Sequence, residues 1–198
     1  MGLNLDYTDG QTPLDEDEKE GLLVKAVTTR DELDEFEQLN IEKAVLWTMK
    51  RKFKAGDILN ETFVKGLHRR MYSDVWRWAG EFRKTNKNPG VDKLEIPIEL
   101  RALLDDCNHW IAKKVFNDDE IAIRFKHRIV SIHCFVNGNG RHSRLMADVI
   151  AENIFKLPAF SWGAASLYKQ GEIRKSYLQA IKKADGGNYE ELIKFARS

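Results

Sequence analysis

Apolar positions recur along most of the chain at three- and four-residue spacing, and each block of them predicts a helix. Thr29-Arg30-Asp31-Glu32 reads as a capping box, and Leu33, Phe36, Asn40, Ala44 and Thr48 follow at helical intervals, flanked by Leu39, Ile41, Val45 and Leu46. A long helix is expected to run to about Phe53. Gly56-Asp57 breaks the pattern, after which Phe63, Val64, Leu67, His68, Met71 and Tyr72 form a second stripe. Pro97 is placed to open a third helix through Leu100, Leu103, Leu104, Cys107, Trp110 and Ile111 to about Val115. Asn117 or Asp118 then caps a fourth, carrying Ile121, Phe125, Ile129 and Ile132, and the period restarts at Leu145, Met146, Val149, Ile150 and Ile154. Two closing helices, Lys169 to Ala184 and Tyr189 to Ala196, are separated by Gly186-Gly187-Asn188.

Two stretches differ. Between Gly80 and Pro97 the period shortens: Glu81 to Thr85, a turn cluster from Asn86 to Gly90, then Leu94-Glu95-Ile96, which predicts a small β-hairpin or flap. At the other end, Asp15-Glu16-Asp17-Glu18 opens a short helical segment reaching Leu22, Leu23 and Val24, with acids where the helix dipole favours them. The expected fold is all-α, a helical bundle with one hairpin flap. Residues 1–29 read as an acidic N-terminal segment with a candidate regulatory helix, and residues 30–198 as the main domain.

At 198 residues, 42% apolar and 32% charged, the chain has the balance of one folded domain. Its net charge of +1 supplies no general field for nucleic acid or an anionic membrane, so any anion site must be local. Neither a run approaching the ~18 apolar residues of a membrane span nor an apolar signal core within Met1 to Glu20 is present, which predicts a cytoplasmic protein without a membrane partner. Cys107 and Cys134 form no disulfide framework and read as reduced packing residues. His68, His109, His127 and His142 lack metal-ligand spacing; His142 is expected to face solvent and His127 to pack. The five tryptophans read as core or interface anchors, and Lys50-Arg51-Lys52 as a solvated face.

The segment His133-Cys134-Phe135-Val136-Asn137-Gly138-Asn139-Gly140-Arg141-His142-Ser143-Arg144 joins two of the predicted buried helices. Gly138 and Gly140 flank Asn139 where one helix stops and another starts, which frees backbone N–H groups to bind phosphate. Arg141 and Arg144 lie three apart, on one face of the following first turn, and can address the same anion. His133, with an ordinary pKa near ~6.5, is the natural general base.

This loop resembles that of the Fic (Fic/Doc) family, His-x-Phe-x-(Asp/Glu)-Gly-Asn-Gly-Arg-x-x-Arg; His133, Phe135, Gly138, Asn139, Gly140, Arg141 and Arg144 match. Leu67-His68-Arg69 and Trp78-Ala79-Gly80-Glu81-Phe82-Arg83 also look like that family, and the resemblance covers roughly residues 30 to 185. It implies a Fic-type fold and transfer of AMP from ATP to a hydroxyl of a target protein. His133 would deprotonate the hydroxyl, Gly138, Asn139 and Gly140 would cradle the phosphates, Arg141 would bind the phosphate chain and Arg144 its terminal part. Phe135 would anchor the loop, and Lys84 to Ile96 would dock the target as an added strand.

Asn137 stands where the family has an acid that binds Mg²⁺, and a neutral carbonyl is a poorer ligand for a hard dication. Three readings follow in order: Asn137 ligates Mg²⁺ or Mn²⁺ weakly while ATP supplies most of the charge; the enzyme uses a different nucleotide or performs another transfer, such as a Fic/Doc-type kinase reaction; or the fold is a nucleotide-binding or toxin-type interaction module. Cys134 replaces a proline common in the family, with little expected effect. The family's inhibitory (Ser/Thr)-x-x-x-Glu-(Gly/Asn) motif has a partial counterpart in Glu20-Gly21, so Glu20 is a candidate partner of Arg144, and a separate antitoxin-like regulator is the alternative.

Overall fold

The computed structural model describes residues 13–164 and 170–198; the expected start of a helix at Lys169 and the first twelve residues of the N-terminal segment lie outside them. The helices are α1 (Glu16–Lys19), α2 (Arg30–Met49), α3 (Ala55–Ile58), α4 (Glu61–Tyr72), α5 (Ile96–Lys113), α6 (Asp118–Ile132), α7 (Asn139–Ile150), α8 (Gln170–Asp185) and α9 (Glu190–Arg197). A five-residue π-helical turn, Ala151–Phe155, prolongs α7 and ends at Lys156 in the left-handed region.

Local chemistry explains the starts. In α2 the Glu32 amide donates to Thr29 Oγ1 at 3.3 Å while Glu32 Oε2 accepts the Thr29 amide at 3.0 Å, the reciprocal box foreseen from the sequence. Asn60 caps α4 by accepting the Phe63 amide at 2.8 Å, and Asn117 caps α6 by accepting that of Glu120 at 2.8 Å. α2 stops at Met49 rather than Phe53, and a separate turn, α3, follows.

The core lies where α6 packs between α5 and α7, α2 lies on α4, and α8 pairs with α9. Val64, Leu67, Met71 and Tyr72 of α4, Leu100, Leu103 and Cys107 of α5, and Ile121, Phe125 and Ile129 of α6 are all buried, as their spacing requires. In α2 the buried stripe is Leu33, Glu37, Asn40, Ala44 and Thr48; the expected Phe36 is 42% exposed and a carboxylate takes its place inside. Both cysteines are buried and unpaired, and burial pushes each thiol up to about 12, so they remain protonated packing groups.

The expected β-hairpin is a correction. Among the described residues there is no strand, only single antiparallel bridges joining Phe82 to Phe135 and Leu22 to Trp76. The 84–95 segment is held by side chains: Asn86 Nδ2 donates to Asp92 at 2.9 Å, and Asp92 and Asn86 accept the amides of Leu94 and Lys93 at 2.9 and 2.8 Å. Asn and Asp offer the backbone these local partners in place of a ladder, so the Asn/Gly/Pro signal correctly marked turns without implying strands. No helix among the described residues is long and apolar enough to cross a membrane.

Candidate active site

His133 ends α6. Its φ of +56° is left-handed, a conformation that costs a non-glycine residue about 1 kcal/mol and that turns the chain out of the helix into the loop. Arg83 holds this geometry from below. Its Nε donates to the His133 carbonyl at 2.6 Å, Nη1 to Thr85 at 2.8 Å, and Nη2 to Val91 at 2.5 Å and Ile132 at 3.4 Å, while its amide donates to the Cys134 carbonyl at 3.0 Å. One buried guanidinium therefore ties the segment after Gly80 to the end of α6.

The middle of the loop is closed by Asn139. Its Nδ2 donates to the Phe135 carbonyl at 2.8 Å and its Oδ1 accepts the Phe135 amide at 2.9 Å. The Asn139 side chain thus shapes the loop rather than reaching outward, which narrows its expected cradling role to its backbone. Phe135 is fully buried and stacks on the His68 ring at 3.8 Å, as an anchor should. His68 Nδ1 accepts the Gly80 amide at 3.0 Å, which leaves Nε2 to donate to the Asn137 carbonyl at 3.0 Å. Burial holds His68 well below its ordinary pKa, so a neutral imidazole of one tautomer supports the loop.

Unlike α2, α4 and α6, α7 begins without a side-chain cap. Gly138 is its N-cap at φ +76°, and the first backbone bond of the turn runs from the His142 amide to the Gly138 carbonyl at 2.9 Å. The amides of Asn139, Gly140 and Arg141 therefore carry the helix's positive end with no carbonyl of the same helix to meet. A Cβ at Gly138 would lie 2.4 Å from the Tyr72 ring, whereas one at Gly140 would meet nothing within 4 Å. Gly138 is required by packing and backbone; Gly140 leaves its space clear beside the open amides, a cradle that suits a phosphate.

His133 is 6% exposed. Burial, and then the charges of Arg83 and Lys87, lower it to about 4 against the opposing Val130 carbonyl, so the ring is neutral at physiological pH. His142 corrects an expectation: it is buried rather than solvent-facing, its Nε2 meets the Val64 carbonyl at 3.0 Å, and burial lowers it to about 4. His127 packs as expected, between Asp185 at 2.8 Å and Tyr189.

The two arginines of the loop have different neighbours. Arg141 pairs with Glu37 at 2.6 Å and faces the Tyr72 ring at 5.3 Å. Arg144 lies over the Tyr177 ring at 4.6 Å and near the Trp162 ring at 5.8 Å, and Tyr177 in turn meets the buried Lys126. Burial would raise the Tyr177 phenol, but the charges of Lys126 and Arg144 outweigh it and lower the group.

Glu20 is exposed at the end of α1, and no ion pair joins it to Arg144 among the described residues. The acid of α1 that engages the rest of the molecule is Glu18. It accepts Lys87 Nζ at 2.6 Å and Thr85 Oγ1 at 3.0 Å, while its carbonyl accepts Trp78 Nε1 at 3.0 Å. The N-terminal helix is thereby fastened to the 84–95 segment, not to the loop arginines.

The donor set at position 137 does not suit a tightly held divalent cation. The side-chain oxygen is a neutral amide that already accepts the Gly138 amide at 2.5 Å, and among the described residues no three His, Cys, Asp or Glu side chains gather as ligands.

An uncapped α7, a buried neutral histidine and a glycine cradle all fall inside one matched region: residues 58–151 match the model of the Fic/DOC family. This stretch of the chain is similar to a Fic/DOC domain. Among curated relatives, "Protein adenylyltransferase Fic" of Drosophila grimshawi is 29% identical over 133 residues, 65% of this chain and 26% of that protein. The chain spans well under half the length of the curated relatives it matches. Among solved structures, the BepC protein of Bartonella tribocorum with bound AMPPNP aligns with a TM-score of 0.66 at 15% identity, covering 92% of this chain and 97% of that one. Fic-1 of C. elegans aligns with a TM-score of 0.65 at 19% identity, covering 83% of this chain and 47% of that one. These likenesses establish the Fic fold.

Arg83, Glu37 and Tyr72 escaped the sequence reading as parts of the site. Arg83 left a signal in closing the family-like stretch from Trp78, and Glu37 left one because a carboxylate four residues after Leu33 and three before Asn40 occupies an inward-facing position.

Proposed function

We propose that this chain transfers the AMP moiety of ATP to a hydroxyl of a target protein. The observation that carries the reading is the buried, neutral His133 at the head of a loop whose following amides open onto the clear space beside Gly140. The phosphates sit on the amides of Asn139, Gly140 and Arg141, with the Arg141 guanidinium along the chain and Arg144 toward its terminal part. The hydroxyl oxygen attacks the α-phosphorus, the bond from that phosphorus to the bridging oxygen breaks, pyrophosphate leaves, and His133 takes the hydroxyl proton. Positioning and charge stabilisation contribute most in such transfers, and the loop supplies both. Mg²⁺ or Mn²⁺ arrives as part of the substrate, on the triphosphate. The names of the curated relatives support adenylyl transfer over other chemistry.

The target is proposed to lie along residues 84–96, and the N-terminal segment or a separate antitoxin-like protein to restrain the site. Incubating the chain with ATP labelled at the α- or the γ-phosphorus, with Mg²⁺ or Mn²⁺ and a cell extract, tests the reaction. Label from the α-position alone is expected on protein. Label from the γ-position alone would make the chain a kinase, and neither would leave a binding module.

Asn137 gives a second expected outcome. Replacing it with aspartate keeps an oxygen for the Gly138 amide and adds the missing anionic ligand, so the cation requirement should fall and incorporation should rise about tenfold. Incorporation measured across a Mg²⁺ titration checks this; an unchanged midpoint would mean that the side chain at 137 does not meet the cation.

A further inference from the structure

The loop receives one carboxylate from far outside its own segment. Glu37, on the inner face of α2, is 2% exposed, and both of its oxygens are engaged: Oε1 accepts Trp76 Nε1 at 2.6 Å and Oε2 pairs with Arg141 Nη2 at 2.6 Å. Trp76 is itself buried and stacked on Trp78 with centroids 4.9 Å apart, so the carboxylate is fixed from behind. On its other side the Arg141 guanidinium faces the Tyr72 ring, and its side chain remains 36% exposed. A carboxylate this buried is tolerated only when its charge is paired, and Arg141 supplies the pairing.

We propose that Glu37 is a positioning residue for the phosphate chain. It orders the Arg141 guanidinium before the ligand arrives and leaves the remaining N–H groups of that five-donor fork to bind phosphate. The inference rests on the nucleotide-binding reading above.

Two effects of Glu37 oppose each other. Ordering a long side chain in advance removes part of the entropic cost of binding, whereas a neighbouring negative charge weakens the attraction of Arg141 for an anion. Ordering wins because Glu37 cannot withdraw. Trp76 and the core hold it, and one carboxylate oxygen engages only one edge of the guanidinium.

The test is calorimetric titration of ATP with Mg²⁺ into the full chain, its Glu37→Gln and Arg141→Ala variants, and the double variant, alongside thermal unfolding of all four. Glu37→Gln is expected to weaken ATP about tenfold, and to have no further effect once Arg141 is alanine, because it acts through that residue. Melting should show a reversal of sign. Glu37→Gln lowers the midpoint of the wild-type chain but raises that of Arg141→Ala, where it removes an unpaired buried charge. Tighter or unchanged ATP binding by Glu37→Gln, or an equal loss in both backgrounds, overturns the proposal. Should Glu37→Gln not fold, Trp76→Phe frees the rear oxygen while keeping the ion pair; a several-fold weaker affinity is then expected, and an unchanged one overturns the proposal. ATP binding by the wild-type chain separates the two readings. Its absence overturns the nucleotide reading and the role of Glu37 with it, whereas binding that Glu37→Gln leaves untouched overturns the role of Glu37 alone.

Discussion

Replacing His133 with alanine is expected to lower transfer of the ATP label to protein by at least a hundredfold, the scale on which a positioned base contributes. The backbone at this position complicates a single variant, because φ is +56° and alanine is less comfortable there than histidine. His133→Asn is the control, since asparagine tolerates the left-handed region and cannot act as a base at neutral pH. If the asparagine variant retains the wild-type rate, His133 is not the base. The pH dependence carries its own sign. A base must be deprotonated to act, and burial with the Arg83 and Lys87 charges lowers the His133 pKa to about 4 in the free chain. Through this group, kcat/KM should therefore rise as pH climbs through about 4 and be level from pH 5 to 8. In the kcat profile the same limb should move upward, because bound phosphates favour the imidazolium. A limb at pH 6.5 in kcat/KM would contradict the burial of His133.

Arg83→Met should cost about 3 kcal/mol of stability. The substitution keeps an apolar stem but leaves the carbonyls of His133, Thr85 and Val91 without the guanidinium that now meets them. The buried His133 carbonyl, stripped of a charged donor, bears the full desolvation penalty, and the half-buried ones of Thr85 and Val91 bear part of it. For a chain of this size the melting midpoint should fall by roughly 6–12 °C, and backbone amides across 84–91 should exchange faster with solvent. Calorimetry and hydrogen exchange read these two effects separately. A midpoint within 1 °C of wild type would show that the segment is held by other contacts, of which Glu18–Lys87 is the first to examine.

The two predictions draw on different amounts of sequence information. His133 was legible because its chemistry and its neighbours stand together in the chain: a histidine, a glycine pair and two arginines within twelve residues. The role of Arg83 was not: it closes a family-like stretch, but an arginine fifty positions earlier has the same appearance whether it faces water or a set of inward-pointing carbonyls. Asn139 shows an intermediate case. Its place in the loop was evident, but only the bonds to Phe135 reveal that its side chain closes the turn rather than holding a ligand.

By itself the sequence determined the helical class, the caps of α2 and α6, the inward faces of α4 to α7, and the loop with its open α7 terminus. These follow from interactions between residues a few positions apart, where spacing and side-chain type suffice. Tertiary structure decided the rest. It replaced the expected hairpin with side-chain-held turns, and turned α1 onto the 84–95 segment through Glu18 rather than onto Arg144 through Glu20. It also set Phe36 outside and Glu37 inside. Hydrophobicity alone favours the opposite choice; burial of the carboxylate is stable because two other parts of the chain meet it, Trp76 with a hydrogen bond and Arg141 with an opposite charge.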